Sequence, residues 1–344
     1  MSRADAVAAV LWVGATFYAV FGGADFGAGL WALLAGERER GKRPRALIDW
    51  AIGPVWEANH VWLIFVLVVL WTGFPEAFGS IMSTLFIPLS LAALGIVLRG
   101  AGFAFHKLAD RVGGRHLARA AFGLSSVLTP FFMGTVVGAI ASGRVPVGNA
   151  AGDAVTSWLN PLSLLIGVLF VATGAYLSAI FLISEARGVG ADDLERYFRT
   201  RALGAALVAG TIAAAGIFAL HDDARYLYDR LTDQAIPLVI GSAVCGLTVL
   251  ALLVRGAYRG IRPLAVAAVV AVVWGWGVAQ FPYLLPESLT ISAGASTSDT
   301  LTSVLIVFGA AVLLVLPSFG LLYKLSQRSM LEGEFERPHS ATGS

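Results

Sequence analysis

Long apolar segments alternate with short polar segments along most of this chain. A helix needs about 20 mostly apolar residues to cross ~30 Å of hydrocarbon. By that criterion the sequence predicts nine spans, at residues 7–34, 53–73, 78–98, 120–142, 160–183, 202–220, 236–254, 264–283 and 301–323. The polar interruptions are too short to form a further folded domain. We therefore expect an all-α polytopic membrane protein.

The composition supports this prediction and excludes several other classes. Of the 344 residues, 57% are hydrophobic and only 13% are charged, whereas an ordinary soluble domain is about 25% charged. A soluble enzyme, a disordered chain and a nucleic-acid-binding protein are therefore poor interpretations. The single cysteine, Cys245, excludes an intrachain disulfide and a cysteine-ligated iron–sulfur cluster.

The basic residues predict the orientation of the chain in the membrane. Twenty of the 24 Lys and Arg residues flank alternate polar segments on one side, and four flank the other. Those four are Arg3, Arg144, Arg225 and Arg230. Cytoplasmic loops carry an excess of Lys and Arg. The pattern predicts an N-terminus outside the cytoplasm and a C-terminus within it.

Polar groups inside the predicted spans are the candidates for chemistry, because charges within a membrane are costly. Asp25 lies well inside the first span, and Glu57, Asn59 and His60 lie at the start of the second. Glu57 and His60 are three residues apart and share a helix face. Both clusters belong to the cytoplasmic half of the membrane, where carboxyl groups and a histidine can pass protons.

Structural alternatives remain open for each candidate. Glu57 follows Pro54 in a predicted first turn, where it can simply stabilise the helix N-terminus. Asp25 can hydrogen-bond to a neighbouring helix. His60 alone is a weak haem ligand because no second in-span histidine lies at a matching depth. Arg99, at the end of the third predicted span, is interpreted as an anchor to lipid headgroups.

A group of glycines in the first span predicts close helix packing. Its members are Gly22, Gly23, Gly27 and Gly29. No nucleotide-binding, metalloprotease or nucleophile motif occurs in the chain. The residues alone therefore favour either a transporter or a subunit that supports chemistry carried out elsewhere.

Several segments resemble those of a known family. Residues 23–29 (GADFGAG) and 53–64 (GPVWEANHVWLI) are similar to the two N-terminal signatures of subunit II of cytochrome bd-type quinol oxidases. Further landmarks follow in the family's order at 74–78 (FPEAF), 98–103 (LRGAGF) and 281–286 (FPYLLP). The chain departs from the family in having Glu57 where Asp is common, and His60 where Gln or Glu is more frequent.

The resemblance implies a particular architecture and location. It implies two four-helix bundles plus one extra helix, in a nine-span domain of residues 1–324. The bundles would cover about 7–142 and 160–283, with the last helix at 301–323 and a cytoplasmic tail at 325–344. The protein would lie in a prokaryotic cytoplasmic membrane.

The resemblance also implies a function within a complex. A larger subunit I would bind the haems, oxidise quinol and reduce oxygen, whereas this chain would ligate no haem and no metal. Small accessory subunits, lipid and a structurally bound quinone are further implied partners, and nucleic acid is not. The resemblance gives the acidic residue at 57 a place on a cytoplasmic proton path, and we expect Asp25, Asn59 and His60 to assist. The alternative is a proton-coupled secondary transporter using Asp25 and Glu57. We further expect the glycine group to contact subunit I.

Overall fold

The computed structural model describes residues 2–36, 39–52, 56–112 and 115–330. Within these ranges the chain is almost entirely helical, with a π-helical turn (Tyr18–Gly22) between the first two helices and one short hairpin. The helices are α1 (Arg3–Phe17), α2 (Gly23–Ala35), α3 (Glu39–Ile52), α4 (Trp56–Gly73), α5 (Pro75–Thr84), α6 (Phe86–Val112), α7 (Arg115–Ala141), α8 (Pro161–Gly188), α9 (Asp192–Asp223), α10 (Arg225–Thr232), α11 (Ile236–Arg255), α12 (Ile261–Gln280) and α13 (Ser298–Met330). The hairpin strands are β1 (Tyr283–Leu285) and β2 (Leu289–Thr290).

The predicted class of polytopic helical membrane protein is confirmed. Six helices among the described residues are long and apolar enough to cross a membrane, and a seventh span results if one bent pair is counted as a single span. Two further apolar helices are shorter, Phe86–Gly102 and Ser298–Leu314. Length and apolar composition therefore support six or seven spans, rather than the nine predicted.

The third predicted span differs most from the structure. The chain bends by 120° between Asn59–Gly73 and Pro75–Thr84, and α6 begins only at Phe86. Pro75 cannot continue α4 because proline lacks a backbone N–H group. Phe74, at the corner, is fully buried and fixes the bend in the core. The prediction of one helix over 78–98 is therefore wrong, because α5 and α6 divide that segment.

The first basic segment contains a helix that the sequence analysis did not predict. In α3, Leu47 and Ile48 are fully buried in a core cluster that also includes Ala186 of α8 and Phe198 of α9. The basic residues lie on its other faces, and Arg43 forms an ion pair with Asp193 of α9. The segment is thus an amphipathic helix that packs against the ends of the membrane helices.

The central helix of the molecule is α8, which packs against α2, α7, α9 and α12. Small residues permit this close packing of helices around α8. A Cβ atom on Gly134 of α7 would lie 2.7 Å from the Gly167 Cα atom of α8. The two backbones therefore approach closely, as small residues allow in membrane helices. This packing holds α2 and α7 beside each other, where the candidate site is formed.

The segment after α12 folds into the short hairpin of β1 and β2. Leu285, Leu289 and Ile291 are buried in one cluster with Val7 and Phe74. The hairpin therefore covers one end of α1 and the corner between α4 and α5. At the other end of the chain, α13 continues past residue 325, where the tail was predicted to begin, to Met330.

Candidate functional site

A buried ion pair joins α2 to α6. Arg99 Nη2 lies 2.6 Å from Asp25 Oδ1 and also donates to the Asp25 backbone carbonyl oxygen at 2.9 Å. Only 1% of the Asp25 side chain and none of the Arg99 side chain is exposed. The prediction that Arg99 anchors to lipid headgroups is therefore wrong, because its guanidinium group is neutralised by a carboxylate inside the protein.

The guanidinium group is enclosed by three further side chains. Arg99 Nη1 donates to Ser126 Oγ of α7 at 2.9 Å. The rings of Phe26 and Phe122 lie with their centroids 4.8 Å and 4.4 Å from the Arg99 Cζ atom. Such cation–π contacts strengthen when water is excluded. The ion pair is thus the centre of a site built from α2, α6 and α7.

Gly29 provides the space for this arrangement. A Cβ atom at Gly29 would lie 1.9 Å from Ser126 Oγ and 3.1 Å from Arg99 Nη1. Ser126 is held in place because its hydroxyl donates to the Phe122 carbonyl oxygen at 2.8 Å. Any side chain at position 29 would therefore displace the hydroxyl group that contacts Arg99.

Gly23 and Gly27 bring α2 against α8. A Cβ atom on Gly27 would lie 1.9 Å from the Gly174 carbonyl oxygen, and one on Gly174 would lie 2.6 Å from the Gly23 carbonyl oxygen. Close helix packing is thus confirmed. The expectation that this glycine group contacts subunit I is wrong for Gly27 and Gly29, because α8 and α7 of the same chain already cover them. For Gly22 and Gly23 it stays a prediction.

Phe26 connects the ion pair to His60. The two ring centroids are 5.8 Å apart, with the rings inclined at 72°, so Arg99 and His60 both contact this phenylalanine. His60 and Asn59 are half-buried on α4. The structure therefore links two of the predicted site residues, because Arg99 pairs with Asp25 and shares the Phe26 ring with His60.

Glu57 lies in the first turn of α4, which begins at Trp56, as the sequence predicts. Its side chain, and residues 53–55 before the helix, lie outside the described part of the chain. The proton-transfer roles predicted for Glu57, Asp25, His60 and Asn59 therefore remain predictions.

The remaining histidines lie away from this site or outside the described residues. His221 Nδ1 lies 2.8 Å from Asp222 Oδ1 at the exposed end of α9, and its Nε2 atom contacts Arg225 Nη1 at 2.6 Å. The side chains of His106 and His116, and all of His339, lie outside the described residues. Within the described ranges, no group of three or more His, Cys, Asp or Glu side chains is arranged to hold a metal ion.

Comparison with known proteins gives one consistent result. The sequence profile of the family described as "Cytochrome bd terminal oxidase subunit II" matches residues 4–326, a range that includes all the site residues above. The chain is 27% identical over 241 residues to the cytochrome bd ubiquinol oxidase subunit 2 of Bacillus subtilis (strain 168), covering 69% of this chain and 67% of that protein.

Two further similarities extend over most of the chain. It is 24% identical over 331 residues to the cytochrome bd-I ubiquinol oxidase subunit 2 of Escherichia coli (strain K12), covering 83% of this chain and 82% of that protein. Its fold is similar to a chain in the structure of bd oxidase from Geobacillus thermodenitrificans. That match has a TM-score of 0.73 and 26% identity, and it covers 94% of this chain and 98% of that chain.

Proposed function

Since this chain belongs to the cytochrome bd terminal oxidase subunit II family, we propose that it supports a haem-bearing subunit I and supplies part of a cytoplasmic proton path. It forms part of a bd-type quinol oxidase complex. The partner subunit would hold the haems and reduce oxygen to water, a reaction that consumes protons. The observation that supports the proton path is the buried Asp25 carboxylate oxygen Oδ2, to which no described residue hydrogen-bonds, with the half-buried His60 nearby against Phe26.

The proposed topology has nine spans, with the N-terminus outside and the C-terminus in the cytoplasm. Adding the two shorter apolar helices to the seven spans that include the bent pair gives this number. The distribution of Lys and Arg supports the orientation, and the domain limits follow the two-bundle arrangement described above. In this orientation the start of α4 lies at the cytoplasmic side.

We propose Glu57 as the entry group for cytoplasmic protons. It lies in the first turn of α4, and His60, one turn further along the helix, contacts Phe26. Asn59 and His60 would orient water beside the Glu57 carboxyl group. Asp25 uses Oδ1 for the ion pair, whereas none of the described residues hydrogen-bonds to Oδ2. That second oxygen is the atom through which Asp25 would take part.

The test of this role is the oxygen consumption of the purified complex carrying Glu57→Gln. The substitution keeps the shape of the side chain but removes its titratable group, so turnover should fall while assembly and haem reduction by quinol stay largely intact. Glu57→Asp restores a carboxyl group and should retain more activity. Glu76→Gln is the matched control, because Glu76 also lies in the first turn of a helix, α5, and is exposed.

Wild-type oxygen consumption in Glu57→Gln and in Asp25→Asn, across the working pH range, would contradict the proton path. The subunit would then have a purely structural role. A loss of turnover in Glu76→Gln equal to that in Glu57→Gln would contradict the specific role of residue 57.

A second prediction concerns haem. Replacing His60 by Ala should leave the haem content of the complex unchanged, because we assign every haem to the partner subunit. The measurement is the absorption spectrum of the purified complex, normalised to protein. Loss of one haem per complex would show that His60 is an axial ligand.

Accessory subunits and a bound quinone also belong to this proposal. A proton-coupled transporter is not proposed, since membership of the oxidase family favours the electron-transport role.

A further inference from the structure

Two exposed arginines at the end of α11 have no carboxylate partner among the described residues. Arg255 is the last residue of α11, and Arg259 lies in the short connection to α12. Both residues are exposed. None of the ion pairs formed within the described ranges includes either of them. Their positive charge is therefore available to a group outside the chain.

The connection between α11 and α12 keeps the two arginines close together. Four residues of chain separate Arg255 from Arg259, which limits the distance between their Cα atoms to about 14 Å. Gly256 has a left-handed conformation, with φ 69°, and turns the chain back at the end of α11. Tyr258 packs against the core, and its ring centroid lies 4.8 Å from Arg187 Cζ. Two long arginine side chains so placed can contact one anion.

A residue of α9 neutralises the carbonyl end of α11. Arg199 donates from Nε to the Leu253 carbonyl oxygen and from Nη2 to the Val254 carbonyl oxygen, each at 2.7 Å. The last carbonyl groups of a helix lack partners within it, and its dipole ordinarily disfavours an anion there. Arg199 offsets both effects and places a third positive charge next to the backbone of Arg255.

An exposed apolar stripe on α11 leads to Arg255. Its members follow one another at spacings of three or four residues and so share one helix face: Ile240, Val244, Leu247, Ala251 and Val254. Leu247 is 65% exposed and Val254 is 62% exposed. In a membrane protein such a stripe lies against hydrocarbon, and Arg255 comes at its end, where hydrocarbon gives way to headgroups.

We propose that Arg199, Arg255 and Arg259 bind the headgroup of one anionic phospholipid, whose acyl chains lie along the apolar stripe of α11. Arginine binds phosphate oxygens through parallel N–H donors, and basic clusters beside a membrane helix attract anionic lipids. A phospholipid supplies both the negative charge and the hydrocarbon that fit this surface, whereas a free phosphate supplies only the charge. The proposed topology places the lipid in the cytoplasmic leaflet. The site itself does not depend on the proposed proton path.

The test measures lipid binding to the purified, delipidated oxidase complex by native mass spectrometry. The probe is phosphatidylglycerol, and phosphatidylcholine with the same acyl chains is the zwitterionic comparison. We expect tighter binding of phosphatidylglycerol. Arg255→Gln/Arg259→Gln should lower that affinity roughly 25-fold, because each basic residue near an anionic membrane surface contributes about fivefold. Arg255→Lys/Arg259→Lys should retain most of the affinity, since lysine also binds phosphate.

The charge-matched control is Arg187→Gln/Arg262→Gln. These two arginines lie at the same end of the molecule but already have carboxylate partners: Arg187 Nε lies 3.6 Å from Glu195, and Arg262 Nη1 lies 3.3 Å from Glu185. The control removes as many positive charges as the first double variant does. We expect it to lose much less affinity for phosphatidylglycerol. Equal losses would show a general attraction between charges and would overturn the site.

Two free anions, inorganic phosphate and glycerol 3-phosphate, distinguish a lipid from a soluble ligand. The thermal unfolding midpoint of the delipidated complex should rise with phosphatidylglycerol and stay unchanged with either free anion. An equal rise with a free anion would overturn the assignment to a lipid. Equal affinities for the two phospholipids, or an unchanged affinity in Arg255→Gln/Arg259→Gln, would overturn it as well.

Discussion

Replacing Arg99 by Met should destabilise the protein by about 3–5 kcal/mol, which is the usual cost of removing one partner of a buried ion pair. The Asp25 carboxylate would remain in the protein interior without its guanidinium partner, and Ser126 would lose the group that donates to it. The measurements are the yield of assembled complex and its thermal unfolding midpoint. We expect both to fall strongly.

Two controls separate the buried charge from a general loss of packing. The double variant Asp25→Asn/Arg99→Met removes both charges and should be more stable than Arg99→Met alone, because no uncompensated charge remains. Arg262→Met breaks an ion pair with Glu185 whose N···O distance is 3.3 Å but whose side chains are 46% and 32% exposed. Its cost should stay below about 1 kcal/mol. If Arg99→Met were as stable as the wild type, or if the double variant were no more stable than Arg99→Met, the buried ion pair would not have the stabilising role proposed for it.

Replacing Gly27 by Ala should also reduce the amount of folded protein, because its Cβ atom would lie 1.9 Å from the Gly174 carbonyl oxygen. The obstructing atom belongs to the backbone of α8, so a change of rotamer cannot relieve the overlap. Overpacking of a well-packed core typically costs about 1–3 kcal/mol. The loss should appear as a lower unfolding midpoint and lower yield of complex, and Gly27→Leu should be worse.

Gly210→Ala is the matched control for this prediction. Gly210 also lies within a membrane helix, α9, but a Cβ atom there meets no described atom within 4 Å. Because alanine is the better helix former, this variant should be as stable as the wild type. Equal stability of the Gly27 and Gly210 variants would contradict the close approach of α2 and α8 at Gly27 and Gly174.

The sequence was sufficient to find Asp25 and His60 but not the partner of Asp25. A polar group inside a predicted span is a candidate whatever the other spans contain. This criterion selected both residues, and the structure places Asp25 in the core and His60 in a half-buried position. Arg99 lies at the end of its span, where a basic residue ordinarily reaches the lipid headgroups. Its pairing depends on the register between α2 and α6, which is set by tertiary packing and cannot be deduced from either segment alone.

The errors in the helix boundaries have equally specific causes. The predicted spans already separate at residues 73–78, where the 120° bend lies, but the hydropathy of 78–98 is nearly continuous and does not reveal that α5 ends at Thr84 and α6 begins at Phe86. In α3, the buried aliphatic residues Leu47 and Ile48 are outnumbered by charged neighbours. An average over that segment therefore indicates a loop, although the apolar pair is enough to hold a helix against α8 and α9.

The separation of the two charges along the chain has a consequence for biosynthesis. Asp25 and Arg99 are 74 residues apart, and ribosomes add roughly 5–20 residues per second, so the arginine emerges about 4–15 s after the aspartate. A charged residue at the centre of an inserting helix costs about 2.5–3.5 kcal/mol on the scale measured with the translocon. The first hydrophobic segment therefore carries this cost until the segment with Arg99 has been made. We expect the packing of α2 against α6 to be completed only after that later segment has inserted.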